Sequence, residues 1–222
     1  MTSEDARQYA PATQRNRESI LAVLQQVLPT ERFQGKTVLE ISSGTGEHSV
    51  FFAPLMPYLN WLPSDPNPLA RDSIAAWQTA CPENNCYPPV NLDASANPWS
   101  IEQDPLPEPL QQSDFDRSVI AAIVNINMIH IAPWTACEGL MAGAARLLPS
   151  GGILYLYGPF FQQTAPTAPS NLAFDQSLKA RDERWGIRQL EVVVDLARSQ
   201  QLRHQQTIPM PANNLSVIFQ KE

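Results

Sequence analysis

Glycine is scarce in this chain, at 9 of 222 residues, about half the usual share, while proline at 21 is about twice it. Few positions can therefore take unusual backbone angles freely, and each glycine needs a reason. Charged residues make up only 17%, which argues against wholesale disorder. The three cysteines, Cys81, Cys86 and Cys137, are odd in number and lack Cys-x-x-Cys spacing, so neither a disulfide framework nor a structural zinc site is expected. Basic residues form no cluster, and the net charge is −7; the electrostatic footprint of a nucleic-acid binder is missing. There is no 18-residue apolar run, and Met1 to Ala10 is polar rather than signal-like. The expectation is a soluble, cytoplasmic globular protein with no membrane partner.

What is present is a regular alternation of strand-like and helix-like segments. Ile20, Leu21, Val23, Leu24, Val27 and Leu28 recur at helical spacing over 13–28. Strands are predicted at 37–41, 60–63, 86–90, 118–124, 153–157, 203–208 and 215–220. Helices are predicted at 47–55, 69–79, 133–148, 171–181 and 189–200. The 118–124 run (Ser-Val-Ile-Ala-Ala-Ile-Val) is almost wholly apolar, as expected of a strand covered on both faces. The alternation predicts an α/β fold: a single domain over 1–222 with a doubly wound, mostly parallel, seven-stranded sheet, helices on both faces and the last strand antiparallel. The proline-rich 93–116 stretch reads as a long connection, and residues 1–30 and 159–188 as segments capping the cleft.

In such a sheet, ligands sit beyond the carboxyl ends of the strands where strand order reverses. The first strand ends in Ser42-Ser43-Gly44-Thr45-Gly46, where Gly44 and Gly46 permit close backbone approach. Taken alone, this turn equally suits a plain strand-to-helix connection. Asp65 closes the next strand at the separation expected of an acid that accepts from ribose hydroxyls, and Asp93 follows the third strand, within reach of an adenine amine. Either aspartate alone also suits a turn cap. A dinucleotide site would want a third glycine where Ser49 stands, and Glu40 inside the first strand would repel pyrophosphate. The same carboxylate suits a ligand carrying an ammonium and a sulfonium, so S-adenosylmethionine is favoured over NAD.

Val38-Leu39-Glu40-Ile41-Ser42-Ser43-Gly44-Thr45-Gly46 resembles the first motif of class I S-adenosylmethionine-dependent methyltransferases, Glu-x-Gly-x-Gly-x-Gly, with Ser42 at the first glycine. Leu147 to Leu154 is similar to the helix-to-strand signature of that superfamily. More specifically, the chain resembles the methyltransferase-like 26 family, itself catalogued as a domain of unknown function. The matching blocks include Pro11–Asn16, Leu39–His48, Trp61–Asp65, Asn127–Trp134, Tyr157–Phe160, Ala168–Asn171 and Met210–Asn214. The resemblance implies the Rossmann-like methyltransferase fold and binding of S-adenosylmethionine. Glu40 would face the methionyl amine, Gly44 and Gly46 the methionyl backbone, Asp65 the ribose and Asp93 the adenine. Asn125 and the residues to Met128 would pass beneath the sulfonium.

On the acceptor side, His130 and Asn127 are the catalytic candidates, His130 for its neutral-range pKa just past the fourth strand. A backbone-bonded helix-start histidine is the plainer reading of the same position. Arg15, Asn16, Trp134, Tyr157, Asn171 and Asn213 are the candidates for holding the acceptor. Trp134 and Tyr157 are equally readable as core, and a loop asparagine as turn chemistry. Arg181, Arg184 and Arg188 alternate with Asp182 and Glu183 and read as a solvated helix face. No metal is required. The expected activity is methyl transfer to a small polar molecule, at an N, O or S atom these residues do not specify; the alternative is a non-catalytic module that senses the cofactor or serves as an assembly partner.

Overall fold

A computed structural model of the chain describes residues 5–81 and 85–222; the first four residues of the 1–30 segment and 82–84 lie outside them. The elements follow in the order α1 (Pro11–Val27), α2 (Thr30–Phe33), β1 (Lys36–Ile41), α3 (Glu47–Leu55), β2 (Leu59–Ser64), α4 (Pro68–Ala80), β3 (Ile120–Ile126), α5 (Trp134–Leu147), β4 (Ile153–Gly158), β5 (Phe160–Phe161), α6 (Pro169–Arg181), β6 (Arg188–Gln189), α7 (Leu190–Ser199), β7 (Leu202–Met210) and β8 (Asn214–Lys221). The main sheet runs β2-β1-β3-β4-β8-β7. Its first four strands are parallel, and β8 pairs antiparallel with both β4 and β7. Short β5 and β6 pair with each other.

The sheet therefore has six strands, not seven. The expected strand at 86–90 does lie parallel to β2, but as two isolated bridges, Trp61 to Cys86 and Ser64 to Val90. Pro88 and Pro89 fall between them, and without N–H donors they cannot continue a ladder.

Alternation along each strand divides the core in two. Val38, Trp61, Val124 and Tyr155 face α1 and α3, packing with Ile20, Leu24 and Phe52. Leu39, Leu62, Ile123 and Leu156 face α5 and α7, packing with Leu140, Cys137 and Val193. The 93–116 connection belongs to this second layer. Trp99 is wholly buried against α5, where a Cβ on Gly143 would stand 2.2 Å from its ring and one on Gly139 2.1 Å from the Ala94 carbonyl. Two glycines four residues apart thus give one face of α5 to the connection.

Because the chain goes from β1 outward to β2 and then returns to β3 on β1's other side, strand order reverses between β1 and β3. The crevice at their carboxyl ends is the place where this topology opens a ligand site.

Candidate active site

Two cavities meet at that crevice. One, of about 450 Å³, is lined by the ends of β1 and β2 and the turns after them, including Glu40, Ser42, Gly44, Thr45, His48, Asp65 and Met128. The other, of about 740 Å³, is lined by Arg15, Asn16, Asn127, His130, Tyr157, Asn171, Phe174 and Asn213, with Pro159 and Pro211 among its apolar walls. Ala12, Asn127 and Ile131 line both, so the two adjoin at Asn127. Their sizes are those of small-molecule sites.

In the smaller cavity, Glu40 is only 1% exposed. Its Oε2 accepts from the Trp61 indole N–H at 2.6 Å, which explains why Trp61 faces it from the neighbouring strand. Burial pushes the Glu40 carboxyl up to about 8, the indole hydrogen bond opposing and the nearby Asp65 charge adding to the rise. Asp65 accepts from the Gly44 N–H (3.0 Å) and the Asn67 N–H (2.9 Å), and burial also raises it above the usual carboxylate range. Among the described residues no ion pair joins either acid to a lysine or arginine. The basic group nearest them is Arg71, which donates to the Asp65 backbone carbonyl at 2.9 Å and whose charge partly offsets the effect of burial on the Asp65 carboxyl.

The turn between them keeps the backbone shape of the glycine motif even where the glycine is missing: Ser42 takes φ 58°, the left-handed region. Gly44 has nothing within 4 Å of an added Cβ, whereas one on Gly46 would stand 2.8 Å from the Ile74 backbone. Gly46 therefore serves the packing of α3 on α4 and is not part of the cavity wall.

The larger cavity is built from three separate stretches of chain. Helix α1 supplies Arg15 and Asn16; Asn16 Oδ1 accepts from His48 Nε2 at 2.9 Å, tying α1 to α3. Helix α6 supplies Asn171, whose side-chain amide donates to the Asn213 carbonyl (3.1 Å), while the Asn213 amide donates to Ser170 Oγ (3.1 Å). These bonds hold the 159–188 segment to the β7–β8 turn. His130, after β3, is 3% exposed and meets Phe174 edge-on at 5.7 Å; its Nδ1 is buried with no hydrogen-bond partner among the described residues. Gly158 leaves room for the ring, since a Cβ there would stand 3.3 Å from it.

Burial, aided by the charge of Arg188, lowers the His130 pKa to about 4, and burial with Arg17 does the same to His48. Both imidazoles are neutral at physiological pH. An unfolded histidine near 6.5 binds protons that these two refuse, so the stability they contribute is present above 6.5 and is lost as pH falls toward 4. Replacing both with glutamine is expected to flatten the acid limb of the stability profile by a few kcal/mol; urea midpoints measured between pH 4 and 7 check this, and an unaltered acid limb would contradict it.

Four expected site residues stand elsewhere. Asp93 is exposed and accepts from the N–H and hydroxyl of Ser95 at 2.8 and 2.7 Å, closing its own turn. Asn125 is buried, its amide donating to the Ile41 carbonyl at 3.0 Å, a clasp between β3 and β1. Trp134 lies under the Arg188 guanidinium at 5.7 Å, outside both linings, and Gly46 faces α4 as described. Arg188, read as part of a solvated helix face, instead lies in β6 and donates to the Ile129 and Ala132 carbonyls at 3.1 and 2.7 Å.

His48, Thr13 and Phe174 are lining residues that sequence reasoning passed over. A signal existed for Thr13: with Asn16 it continues the buried stripe Ile20, Val23, Leu24 of α1, and polar residues on a buried stripe point to a site. Among the described residues no cluster of three or more His, Cys, Asp or Glu could hold a metal, and no helix is long and apolar enough to cross a membrane.

The fold is shared with solved methyltransferases. An O-methyltransferase family protein from Burkholderia thailandensis matches with TM-score 0.73 at 13% identity, over 95% of this chain and 57% of the other. Human N-acetylserotonin methyltransferase in complex with SAM matches with TM-score 0.70 at 14% identity, over 95% and 52%. An O-methyltransferase family 2 protein from Planctomyces limnophilus in complex with apigenin gives 0.66 at 16%, over 93% and 62%. This chain thus spans little more than half the length of the structures it resembles. At these identities the likeness establishes the Rossmann-like α/β architecture. Residues 7–221 match, almost end to end, the family described as protein of unknown function DUF938, and the chain belongs to that family.

Proposed function

We propose that this protein transfers the methyl group of S-adenosylmethionine to a small polar molecule, as its resemblance to the methyltransferase-like 26 proteins implies. The observation that carries the reading is the pair Glu40 and Asp65 at the tips of adjacent strands, both with raised affinity for protons and neither ion-paired among the described residues. A ligand with an ammonium and a sulfonium supplies the positive charge that would let Glu40 ionise beside Asp65. Glu40 receives the ammonium, Asp65 accepts from the ribose hydroxyls, and the Ser42–Thr45 turn lies along the methionyl chain.

When bound, S-adenosylmethionine supplies an electrophilic methyl whose bond to sulfur breaks with the electron pair returning to sulfur. The chain's own residues do the rest. Asn127, lining both cavities, marks the boundary at which donor and acceptor meet. The walls of the larger cavity, closed by α1 and α6, hold the acceptor in line and exclude water. His130 stands in the acceptor wall as a neutral imidazole; with its pKa lowered to about 4 it is a weaker base than the neutral-range histidine the sequence suggests, so the proton released as the acceptor's lone pair bonds to carbon passes to it only on the way to solvent.

With its carboxyl near 8, Glu40 is about nine-tenths protonated at pH 7 in the free protein. Binding an ammonium requires the ionised form, so each S-adenosylmethionine bound is expected to release close to one proton. Its affinity should rise roughly tenfold from pH 6 to 7. Calorimetry in buffers of different ionisation enthalpy measures the release; Glu40→Gln abolishes it. Binding without proton release would remove Glu40 from the ammonium site, and no binding at any pH would remove the proposal. Methyl release on metabolite extracts then separates an enzyme from a non-catalytic cofactor sensor.

A further inference from the structure

The two halves of the crevice carry opposite charge. The smaller cavity holds Glu40 and Asp65. The larger one is lined by no carboxylate among the described residues, and its one formal charge is the Arg15 guanidinium. In a chain with 22 acidic residues against 15 basic, an acid-free cavity with an arginine is not the default. Five of the chain's twelve arginines, Arg7, Arg117, Arg146, Arg184 and Arg198, pair with carboxylates, and Arg71 and Arg188 donate to backbone carbonyls. Arg15 has no ion pair among the described residues and stands on the exposed side of α1, where its charge reaches Tyr157 across the cavity.

We infer that the acceptor is a small organic acid whose carboxylate pairs with Arg15. The inference rests on the division into donor and acceptor cavities proposed above. One guanidinium matches one carboxylate, whose two oxygens take its parallel N–H donors. A phosphate monoester carries nearly two negative charges at neutral pH and would leave one of them uncompensated. The remaining walls say what the acid's body is made of. Tyr157, Phe174, Ile131 and Pro159 offer ring and aliphatic surface, so the occupant is apolar between its carboxylate and its nucleophilic atom. That atom meets the part of the wall that holds His130. Asn171 and Asn213 are engaged with the backbone and with Ser170, so they hold the cavity's shape and leave the charge recognition to Arg15.

Matched pairs of acid and amide test this on the full chain, with S-adenosylhomocysteine present and absent: 4-hydroxybenzoate, phenylacetate and hexanoate, each against its carboxamide, with phenyl phosphate as the competing anion. Dissociation constants from ligand-observed NMR are expected to favour at least one acid over its amide by tenfold or more. Arg15→Gln should erase that preference and Arg15→Lys retain part of it, with S-adenosylhomocysteine affinity unchanged in both. Arg15→Glu, at an exposed position, should reverse it. Amides binding as well as acids, phenyl phosphate binding tighter than every acid, a preference that survives Arg15→Gln, or no acid binding at all would each overturn the inference. Failure of S-adenosylhomocysteine to bind would instead strike the methyl-transfer reading, since the acid preference is read without it.

Discussion

Asp65→Ala is expected to weaken S-adenosylmethionine binding by roughly a hundredfold or more, with the fold retained. In the proposed complex Asp65 accepts from two ribose hydroxyls, and a hydrogen bond to a charged group is worth about 1.5–3 kcal/mol; losing two is worth two to four orders of magnitude. The carboxylate also accepts from the Gly44 and Asn67 N–H groups, so the alanine variant leaves two backbone donors at the cavity edge for water to satisfy. That costs on the order of 1 kcal/mol of stability, which a domain of this size tolerates. Asp65→Asn keeps an acceptor for one donor and should fold more securely while still binding weakly. Calorimetry with S-adenosylmethionine and circular dichroism decide the matter; affinity within threefold of the parent protein in both variants would take Asp65 out of the donor site.

The second large effect lies far from the crevice. Gly143→Ala is expected to lower stability by about 3 kcal/mol or somewhat more, because the added methyl would overlap the Trp99 ring, and Trp99 cannot withdraw. Its indole N–H donates to the Ala94 carbonyl at 3.1 Å, and its backbone N–H to Glu102 Oε2 at 2.7 Å. Glu102 is in turn gripped by Arg146 of α5, 2.7 Å away. The ring and its helix are thus pinned from both sides, and the strain must appear as displacement of the whole connection. For a chain of this length the loss corresponds to a melting temperature lower by on the order of 10 °C. Trp99→Phe combined with Gly143→Ala should recover part of the loss, since the smaller ring leaves space for the methyl. A Gly143→Ala protein melting within about 2 °C of the parent would show that the connection is not held by this contact.

Much of the architecture was legible before any coordinate. The strands at β1, β3, β4, β7 and β8 and the helices between them follow from apolar periodicity, because burial of a strand or helix face is decided mostly by which residues recur on it. The lost seventh strand was also written in the sequence, as Pro88-Pro89, but apolar flanks outweighed the missing donors. Arg15, Asn16, Asn127, His130, Tyr157, Asn171 and Asn213, expected on the acceptor side, come together in one cavity from segments as far apart as residues 15 and 213. Asp93 and Trp134 were misplaced for a physical reason: their order along the chain matches a familiar pattern, but a carboxylate beside Ser95 satisfies itself locally and an indole beside Arg188 is stacked beneath it.

The sequence by itself determined the alternation of elements, the glycine turn after β1 and the presence of Glu40 and Asp65 at two strand tips, since these depend on local composition and on spacing along one strand. Only the tertiary structure decided which groups are deprived of partners. Desolvation and pairing are properties of neighbours brought together from distant segments: Trp61 against Glu40, α6 against the β7–β8 turn, Arg188 near His130. Hence the raised carboxyl of Glu40 and the orphaned nitrogen of His130 emerge from packing, and the gathering of Arg15 with α6 and the β7–β8 turn around one cavity is likewise decided by the fold.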